Sequence, residues 1–528
     1  MNIARQIIQR LNEQHFASEY DFSQSLRSLF SQFKTRPLAK ATLIAAYRQL
    51  LENNEFKPNP ELEQFLIKRA IRTMSGVTVI SLLTKPFLCP GKCVYCPTEP
   101  NMPKSYLSNE PAAQRAVRNR FSPYRQVQKR MQALENNGHQ VDKIELIILG
   151  GTWSAYEQKY QTWFITQCFY AANTFGQKKR KVKSLAAEQK INQTTRYRII
   201  GLTLETRPDH IDQQEIKRLR EYGCTRVQLG VQHTDNKILE LIRRGDTIEN
   251  AITATRLLKQ AGFKVDHHYM PDLPGSTPAK DLAMFKQVFG SAKLMPDQVK
   301  IYPCVVNPYA QLAHWYKNGK YRPYSEKQLL DLLLKVKLLT PPFVRINRLI
   351  RDIPEESITA GNKITNLRQL LQIKLAEKNQ FCRCLRCREA RADIADIAKA
   401  KLITRKYRAS QGTEYFLSFE SKDEKKIYAF LRLRFNDKAN INFLPELQNA
   451  SLVRELHVYG KMIPVADKGV RNKAQHVGFG RRLMTEAEKL TKKMKFNKVA
   501  VISGIGVREY YRKLGYDLEG TYMVKKIK

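Results

Sequence analysis

Three cysteines fall within eleven residues in FLCPGKCVYCP, residues 87–97, spaced Cys89-x3-Cys93-x2-Cys96. A tetrahedral zinc site would ordinarily draw on a second CxxC pair nearby, and the next cysteine along the chain is Cys168. Three thiolates on so short a loop suit a 4Fe–4S cube. They hold three irons and leave the fourth open to a small molecule with amine and carboxylate groups. A zinc knuckle short of one ligand is the plainer alternative.

Other polar residues follow strand-like runs. LGGT ends one such run with Gly150, Gly151 and Thr152, where glycines let backbone approach a ligand closely. TLETRPD ends the next with Glu205 and Arg207, for which an ion pair between the two is the alternative. RVQLGVQH supplies Gln228 and Gln232, and HHYMPDLPG supplies His267, His268 and Asp272. Polar groups at four successive strand ends converge on one mouth, which core packing does not explain.

A second constellation lies near the C-terminus. QHVGFGR, comprising Gln475, His476, Val477, Gly478, Phe479, Gly480 and Arg481, precedes a helical pattern. Glycines there bare backbone N–H groups at a helix N-terminus, which suits a pyrophosphate. Downstream, SGIGVREYYRKLGY carries Tyr510 and Tyr511, either of which can place a hydroxyl near a thioester sulphur or simply pack. A third group, Cys382, Cys384 and Cys387 in FCRCLRCRE, has the spacing of a zinc site, with Cys304 as the expected fourth thiolate. Cys168 and Cys224 read as core residues.

These residues need a scaffold. Residues 1–75 read as a basic helical segment. From about 76 to 345, six strand-like runs (VTVISLLT, KIELIILG, RIIGLTLE, RVQLGVQ, KVDHHYM and QVKIYPC) alternate with helical patterns. That alternation predicts an α/β fold with a parallel sheet curled into a partial (β/α)6 barrel, its chemistry at the C-terminal strand ends. Residues 346–400 form a cysteine-containing linker, and 401–528 a second, smaller α/β domain.

The chain has 528 residues, enough for several cores, with 42% hydrophobic residues. No stretch has the ~18–20 continuous apolar residues of a membrane span, and the start lacks a signal-peptide core. A cytoplasmic protein without membrane partners is expected, its nine cysteines serving as ligands or core rather than disulfides. Lys and Arg outnumber Asp and Glu by 91 to 49, a net +42, which points to a polyanionic partner. The excess concentrates in residues 104–130 and 176–198, with Arg27, Lys34, Arg36, Lys40 and Arg48 adding to it. Phosphate contacts from such residues give salt-dependent binding with little base specificity.

Taken with its position after the first strand, CxxxCxxC resembles the radical S-adenosylmethionine (SAM) superfamily, in which a Gly-Gly pair after strand two meets the methionine part of SAM. The 401–528 segment resembles the GNAT acetyltransferases, which cradle coenzyme A on the glycine turn. The pairing, together with SGVTVISLLTKPFLCPGKCVYCP, GGTW, GLTLETRPDH, YGCTRVQLGVQ, MPDLPG, RLIRDIP, RELHVYG and YYRKLGYDLEG, resembles the family of the Elongator catalytic subunit in its stand-alone prokaryotic form. Eukaryotic members have a longer insert between the first two cluster cysteines, whereas this chain keeps the short spacing.

The resemblance implies synthesis of 5-carboxymethyluridine at the wobble position of tRNA. A 5′-deoxyadenosyl radical from SAM takes a hydrogen from the methyl of acetyl-CoA, and the carbon radical adds to uridine carbon 5. Partners implied are tRNA through its anticodon stem-loop and an electron donor, with no obligatory Elongator subunits. A protein lysine acetyltransferase with a structural iron–sulphur domain is the alternative reading.

Overall fold

The computed structural model describes residues 3–67, 76–390, 396–437, 442–459 and 478–527. The first sheet is all parallel, in the order β1 (Thr78–Leu83), β2 (Lys143–Leu149), β3 (Arg198–Thr206), β4 (Arg226–Gln232), β5 (Lys264–Tyr269), β6 (Gln298–Ile301), then β8 (Arg345–Arg348). A small antiparallel pair, β7 (Val305–Val306) with β9 (Ala360–Gly361), lies beside it. The six expected strands are present, and β8 adds a seventh. Its sequence, RINR, is too short and too polar to signal a strand; it forms because its backbone completes the ladder of β6.

Side chains alternate across this sheet with period two. One face, including Ile144, Leu146, Val227, Leu229, Val265 and Val299, packs under helices 123–135, 158–173, 213–221 and 248–260 in the main core. The other face is polar: Glu145, Arg226, Gln228, Gln298, Lys300 and Asn347 line a cavity. A closed barrel of this size normally fills its interior with apolar layers, so an open polar bore marks a place for ligand or water.

Residues 3–66 form four helices around their own core, with Phe16, Phe22 and Phe65 packed ring on ring. Arg48 ties this bundle to the barrel by donating to the carbonyl of Glu135, 2.9 Å away. The second large sheet runs β10 (Lys401–Arg408), β11 (Gly412–Glu420), β12 (Ile427–Asn436), β13 (Ala450–Val458), β14 (Lys498–Val501), β16 (Tyr522–Lys526) and β15 (Asp517–Glu519). Only β13 and β14 pair in parallel, over Ala450–Val453, and from Arg454 onward no described strand pairs that edge of β13. Helix 479–493 packs over this sheet through Phe479, Leu483, Met484 and Ala487.

The second domain seats against the end of the barrel where the strands begin. Tyr522 donates to the carbonyl of Ala261 and Arg432 to that of Phe343, both 2.7 Å, just ahead of β5 and β8. Gly504 is required there, since a Cβ would lie 2.0 Å from the carbonyl oxygen of Ile200. Lys264 of β5 meets Glu455 of β13 at 3.4 Å. Among the described residues no helix is long and apolar enough to cross a membrane.

Candidate active site

The loop after β1 carries Cys89, Cys93 and Cys96, all partly buried and unpaired. It folds over the ends of β2 to β4. Cys89 Sγ lies 3.7 Å from Thr152 Oγ1, and Arg244 Nη1 lies 3.8 Å from Cys93 Sγ. Gly91 is buried; a Cβ on it would fall 2.6 Å from Arg207 Nη1, so glycine lets the loop pass under that guanidinium. Arg207 also donates to the carbonyls of Arg244 and Gly245 at 3.0 and 2.6 Å, pinning the rim.

The loop suits a multi-iron cluster better than a single ion. Among the described residues, the cysteine group whose sulphurs all lie within 4.8 Å of one another is Cys382, Cys384 and Cys387, not the loop triad. A wider triangle fits the corners of a cube. Burial pushes the Cys96 thiol up to about 12, a value that iron binding would override by taking up the thiolate.

Behind the loop, Gly150 and Gly151 have φ of 141° and 95°, where non-glycine residues are strained. A Cβ at Gly150 would lie 1.8 Å from Thr84 Oγ1. Glu205, Gln228, Gln232 and His268 all line the cavity, as expected. The alternative of a Glu205–Arg207 ion pair is not what forms: Arg207 pairs with Asp209 at 2.6 Å. Glu205 instead accepts from Tyr106 Oη at 2.8 Å and lies 3.6 Å from His268 Nδ1. That leaves His268 Nε2 buried without a hydrogen-bond partner, with burial and nearby cations keeping the imidazole neutral. Gln228 accepts from Lys300 Nζ at 2.6 Å, and burial pulls the lysine down to about 8.

His267 faces the other way, with Nε2 2.9 Å from Thr255 Oγ1, and Asp272 accepts from the Tyr324 backbone N–H; both are structural. Reading the sequence missed Tyr106, Lys300, Arg244 and His457. His457 lies within RELHVYG but is not singled out there, and the other three stand in no motif; all four are selected by the inward side of a strand or by the fold of a loop.

In the second domain, Gly478 (φ 69°) precedes helix 479–493, and Gly478, Gly480 and Arg481 line the cavity. Gln475, His476 and Val477 lie outside the described residues. Phe479 stacks on Phe419 at 4.2 Å and belongs to the core rather than to a ligand. Both tyrosines reach the cavity, but differently. Tyr511 is buried against Tyr516, whereas the Tyr510 hydroxyl lies 2.9 Å from the place a Gly480 Cβ would take. His457 presents another buried Nε2 without a partner.

Cys304 is not part of the zinc-like group. It sits in a separate apolar cluster with Tyr321, and the Asp272 charge nearby adds to the burial that raises its thiol. It stands at the end of β6 with its carbonyl beside Gly361 of β9, and its thiol is not among those gathered at Cys382, Cys384 and Cys387, so the expected fourth thiolate is not brought to that group.

The two ends belong to one space. A cavity of about 1560 Å³ runs from Tyr95 and Pro97 of the cysteine loop, along the inner face of the barrel, to Val501–Gly504, Gly480 and Tyr510. The cysteine loop lies where the parallel strands end and the glycine turn where they begin. A strand of six residues separates the two by about 20 Å at ~3.3 Å per residue.

Residues 86–286 match the model of the radical SAM superfamily, and residues 296–377 that of the radical SAM C-terminal domain. The tRNA uridine(34) acetyltransferase of Methanocaldococcus infernus is 43% identical over 88% of this chain and 88% of its own length. That of Dehalococcoides mccartyi is 42% identical over 87% of this chain and 100% of its own. Elongator complex protein 3 of Saccharomyces cerevisiae is 36% identical over 87% of this chain and 84% of its own. The solved structure of the archaeal Methanocaldococcus infernus Elp3 with an N-terminal deletion superposes with a TM-score of 0.74 at 40% identity, covering 85% of this chain and 99% of that one. With the cysteine loop, the inward polar strand face and the glycine turn disposed as described, the chain belongs to the tRNA uridine(34) acetyltransferase family, within the radical SAM superfamily.

Proposed function

We propose that this protein modifies the wobble uridine of tRNA, converting it to 5-carboxymethyluridine with acetyl-CoA as the source of the two carbons. The observation that carries the proposal is the single cavity joining the cysteine loop to the glycine turn. An acetyltransferase acting on an amine needs no cysteine loop. Carbon 5 of uridine has no nucleophilic amine to acetylate, and forming a carbon–carbon bond there calls for an activated acetyl methyl group.

Radical SAM membership implies a 4Fe–4S cluster and SAM. Cys89, Cys93 and Cys96 would hold the cluster; Gly150, Gly151, Thr152, Gln232 and the Glu205–His268 pair surround the place for SAM. When bound, these groups supply a carbon radical able to take hydrogen from an unactivated C–H bond. The chain's own residues do the positioning. Arg244 and Arg207 clamp the cysteine loop, and Tyr106 orients Glu205, which in turn orients His268. The N-terminus of helix 479–493, bared by Gly478 and Gly480, receives the pyrophosphate of CoA. Tyr510 stands over that turn as hydrogen-bond donor to the thioester sulphur. Holding three reactants in one water-restricted space is the main contribution of the protein.

The tRNA contacts come from the basic helices 111–118 and 123–135, the 178–183 run and the N-terminal bundle, with the anticodon loop opened so that its base enters the bore. Cys382, Cys384 and Cys387 would hold a structural zinc in the linker, and Lys337 Nζ, 3.6 Å from Cys387 Sγ, would offset the thiolate charge. Nucleoside mass spectrometry tests the reading. Anaerobically reconstituted protein with tRNA, SAM, acetyl-CoA and dithionite should yield carboxymethyluridine, and omission of any component should abolish it. Acetylated protein lysines in place of modified uridine would overturn it.

A further inference from the structure

Forming a carbon–carbon bond at uridine carbon 5 leaves the acyl carbon still joined to the sulphur of CoA. A free carboxymethyl group therefore requires a second step, hydrolysis of that thioester, in which a base takes a proton from the attacking water. Two side chains at the acyl end of the cavity suit that step. His457 Nε2 and Ser503 Oγ are both buried without a hydrogen-bond partner among the described residues, and both residues line the cavity. Buried polar groups are nearly always satisfied, so such a pair marks a place for water or for a polar group of a ligand.

The strands place both residues where β13 and β14 part. The two pair in parallel as far as Val453 and Val501, and the Ile502 N–H still donates to the Val453 carbonyl at 3.2 Å. Ser503 follows on one strand and His457 on the other. Alternation along β13 packs Leu456 and Val458 against the core under helix 479–493. Glu455 and His457 take the opposite face, on which Glu455 meets Lys264 of the barrel. The His457 ring is held between Phe430, stacked at 5.7 Å, and Tyr459 at 4.3 Å. The glycine turn adjoins this strand: a Cβ at Gly480 would lie 3.7 Å from Val458 Cγ2 and 2.9 Å from Tyr510 Oη.

The neighbouring groups are already committed. Glu455 accepts from Arg432 Nε at 2.9 Å and lies 3.4 Å from Lys264 Nζ; burial raises its carboxyl, but these cations outweigh burial and hold it at about 2. Glu389 is paired with Arg345 and Arg386, and Tyr459 Oη accepts from Arg345 at 3.3 Å. Burial outweighs the nearby Glu455 and Glu389 charges at His457 and keeps its imidazole neutral, so one ring nitrogen is an acceptor.

We propose that His457 is the general base for thioester hydrolysis and that Ser503 holds the attacking water, an inference that rests on the carboxymethylation reading above. His457 Nε2 takes a proton from water as the water oxygen bonds to the acyl carbon. The carbon–sulphur bond then breaks, and the imidazolium gives its proton to the departing sulphur. Water and thioester become carboxylic acid and thiol, with nothing oxidised or reduced.

The test quenches single turnovers of the reconstituted holoenzyme in mild acid, where thioesters survive, and reads tRNA digests by mass spectrometry. The wild type should give carboxymethyluridine. His457→Gln should instead accumulate uridine joined through the acetyl carbons to CoA, an adduct that hydroxylamine converts to a hydroxamate. Release of the free acid should slow about 100-fold or more, while 5′-deoxyadenosine, formed in the earlier step, appears at the wild-type rate. Ser503→Ala, which deletes one oxygen, should give the same adduct with release slowed about tenfold, and it decides the matter if His457→Gln does not fold. Free carboxymethyluridine at the wild-type rate in both variants would overturn the inference. So would loss of both 5′-deoxyadenosine and adduct in variants that keep the wild-type melting temperature, since the pair would then serve acetyl-CoA binding or hydrogen transfer. A wild type that makes no modified uridine would overturn the carboxymethylation reading itself, and this step with it.

Discussion

Arg454 Nη1, on β13 of the second sheet, donates to Asp297 Oδ2, just ahead of β6 in the first, at 2.8 Å, with both side chains fully buried. Lys259 lies 3.4 Å from Asp297 and 3.6 Å from Glu414, and Arg434 and Arg454 also face Glu414. The two domains are therefore joined by a buried ionic core set beside an apolar seam, in which Leu452, Ile502, Ile505 and Val524 pack with the barrel's Leu258 and Phe263.

Removing Arg454 should strip buried Asp297 of its two-pronged partner and leave the Phe263 carbonyl without its donor. Arg454→Met is expected to destabilise the protein by ~3–5 kcal/mol. Chemical denaturation checks the value. It should also report whether the two domains then unfold in separate steps, as loss of the shared core requires.

The same core sets a pH dependence. Burial raises the carboxyl pKa values of Asp297, Glu414 and Glu455, but the neighbouring cations outweigh it. All three end below their ordinary range, with Glu455 lowered to about 2. Groups whose folded pKa is depressed contribute stability that is complete above their unfolded pKa and is lost as pH falls toward the folded value. Stability should hold down to about pH 5 and then fall steeply between about pH 4 and 2. Arg454→Met should weaken that slope, which thermal melts across the acid range would show.

Much of this was legible in the chain and some was not. The cysteine loop, the glycine pair and the polar strand ends showed because each breaks an apolar run at a place where a parallel sheet presents its ends. The docking of the second domain did not show. The polar part of its interface is made of Arg454, Arg432, Lys259, Asp297, Glu414 and Glu455, residue types that read as solvated surface, and only the fold reveals that they pair with one another. Strand β8 hid for a similar reason, since Arg345 and Asn347 point into a polar bore. The partner of Arg207 was not legible either, since Asp209, two residues on, lies as near in the chain as Glu205, and the fold pairs Arg207 with Asp209.

The bore is the next test. Ile147 lies midway along β2 with its side chain on the cavity wall. Ile147→Trp should obstruct passage between the two ends. Product formation is expected to fall at least 100-fold, while acetyl-CoA binding by calorimetry and dithionite-driven SAM cleavage stay within about twofold.

Tyr510 and Tyr511 should separate cleanly. Tyr510→Phe, at a 40% exposed position, is expected to cut turnover 10–100-fold without changing the melting temperature. Tyr511→Ala should lower the melting temperature instead, because it empties a packed site beside Tyr516.

For the linker, Cys384→Ser should remove about one equivalent of zinc and lower thermal stability. Cys304→Ala should leave the zinc content unchanged. Metal analysis together with melting curves checks both.

The most direct test of a shared cavity uses acetyl-CoA deuterated on its methyl group, incubated with the reconstituted protein, tRNA, SAM and dithionite. Hydrogen-atom transfer inside one space should place one deuterium in 5′-deoxyadenosine and leave two in the carboxymethyl group of the modified uridine. Unlabelled 5′-deoxyadenosine alongside modified uridine retaining all three deuterons would contradict it, since the acetyl group would then have been transferred without its methyl ever meeting the radical.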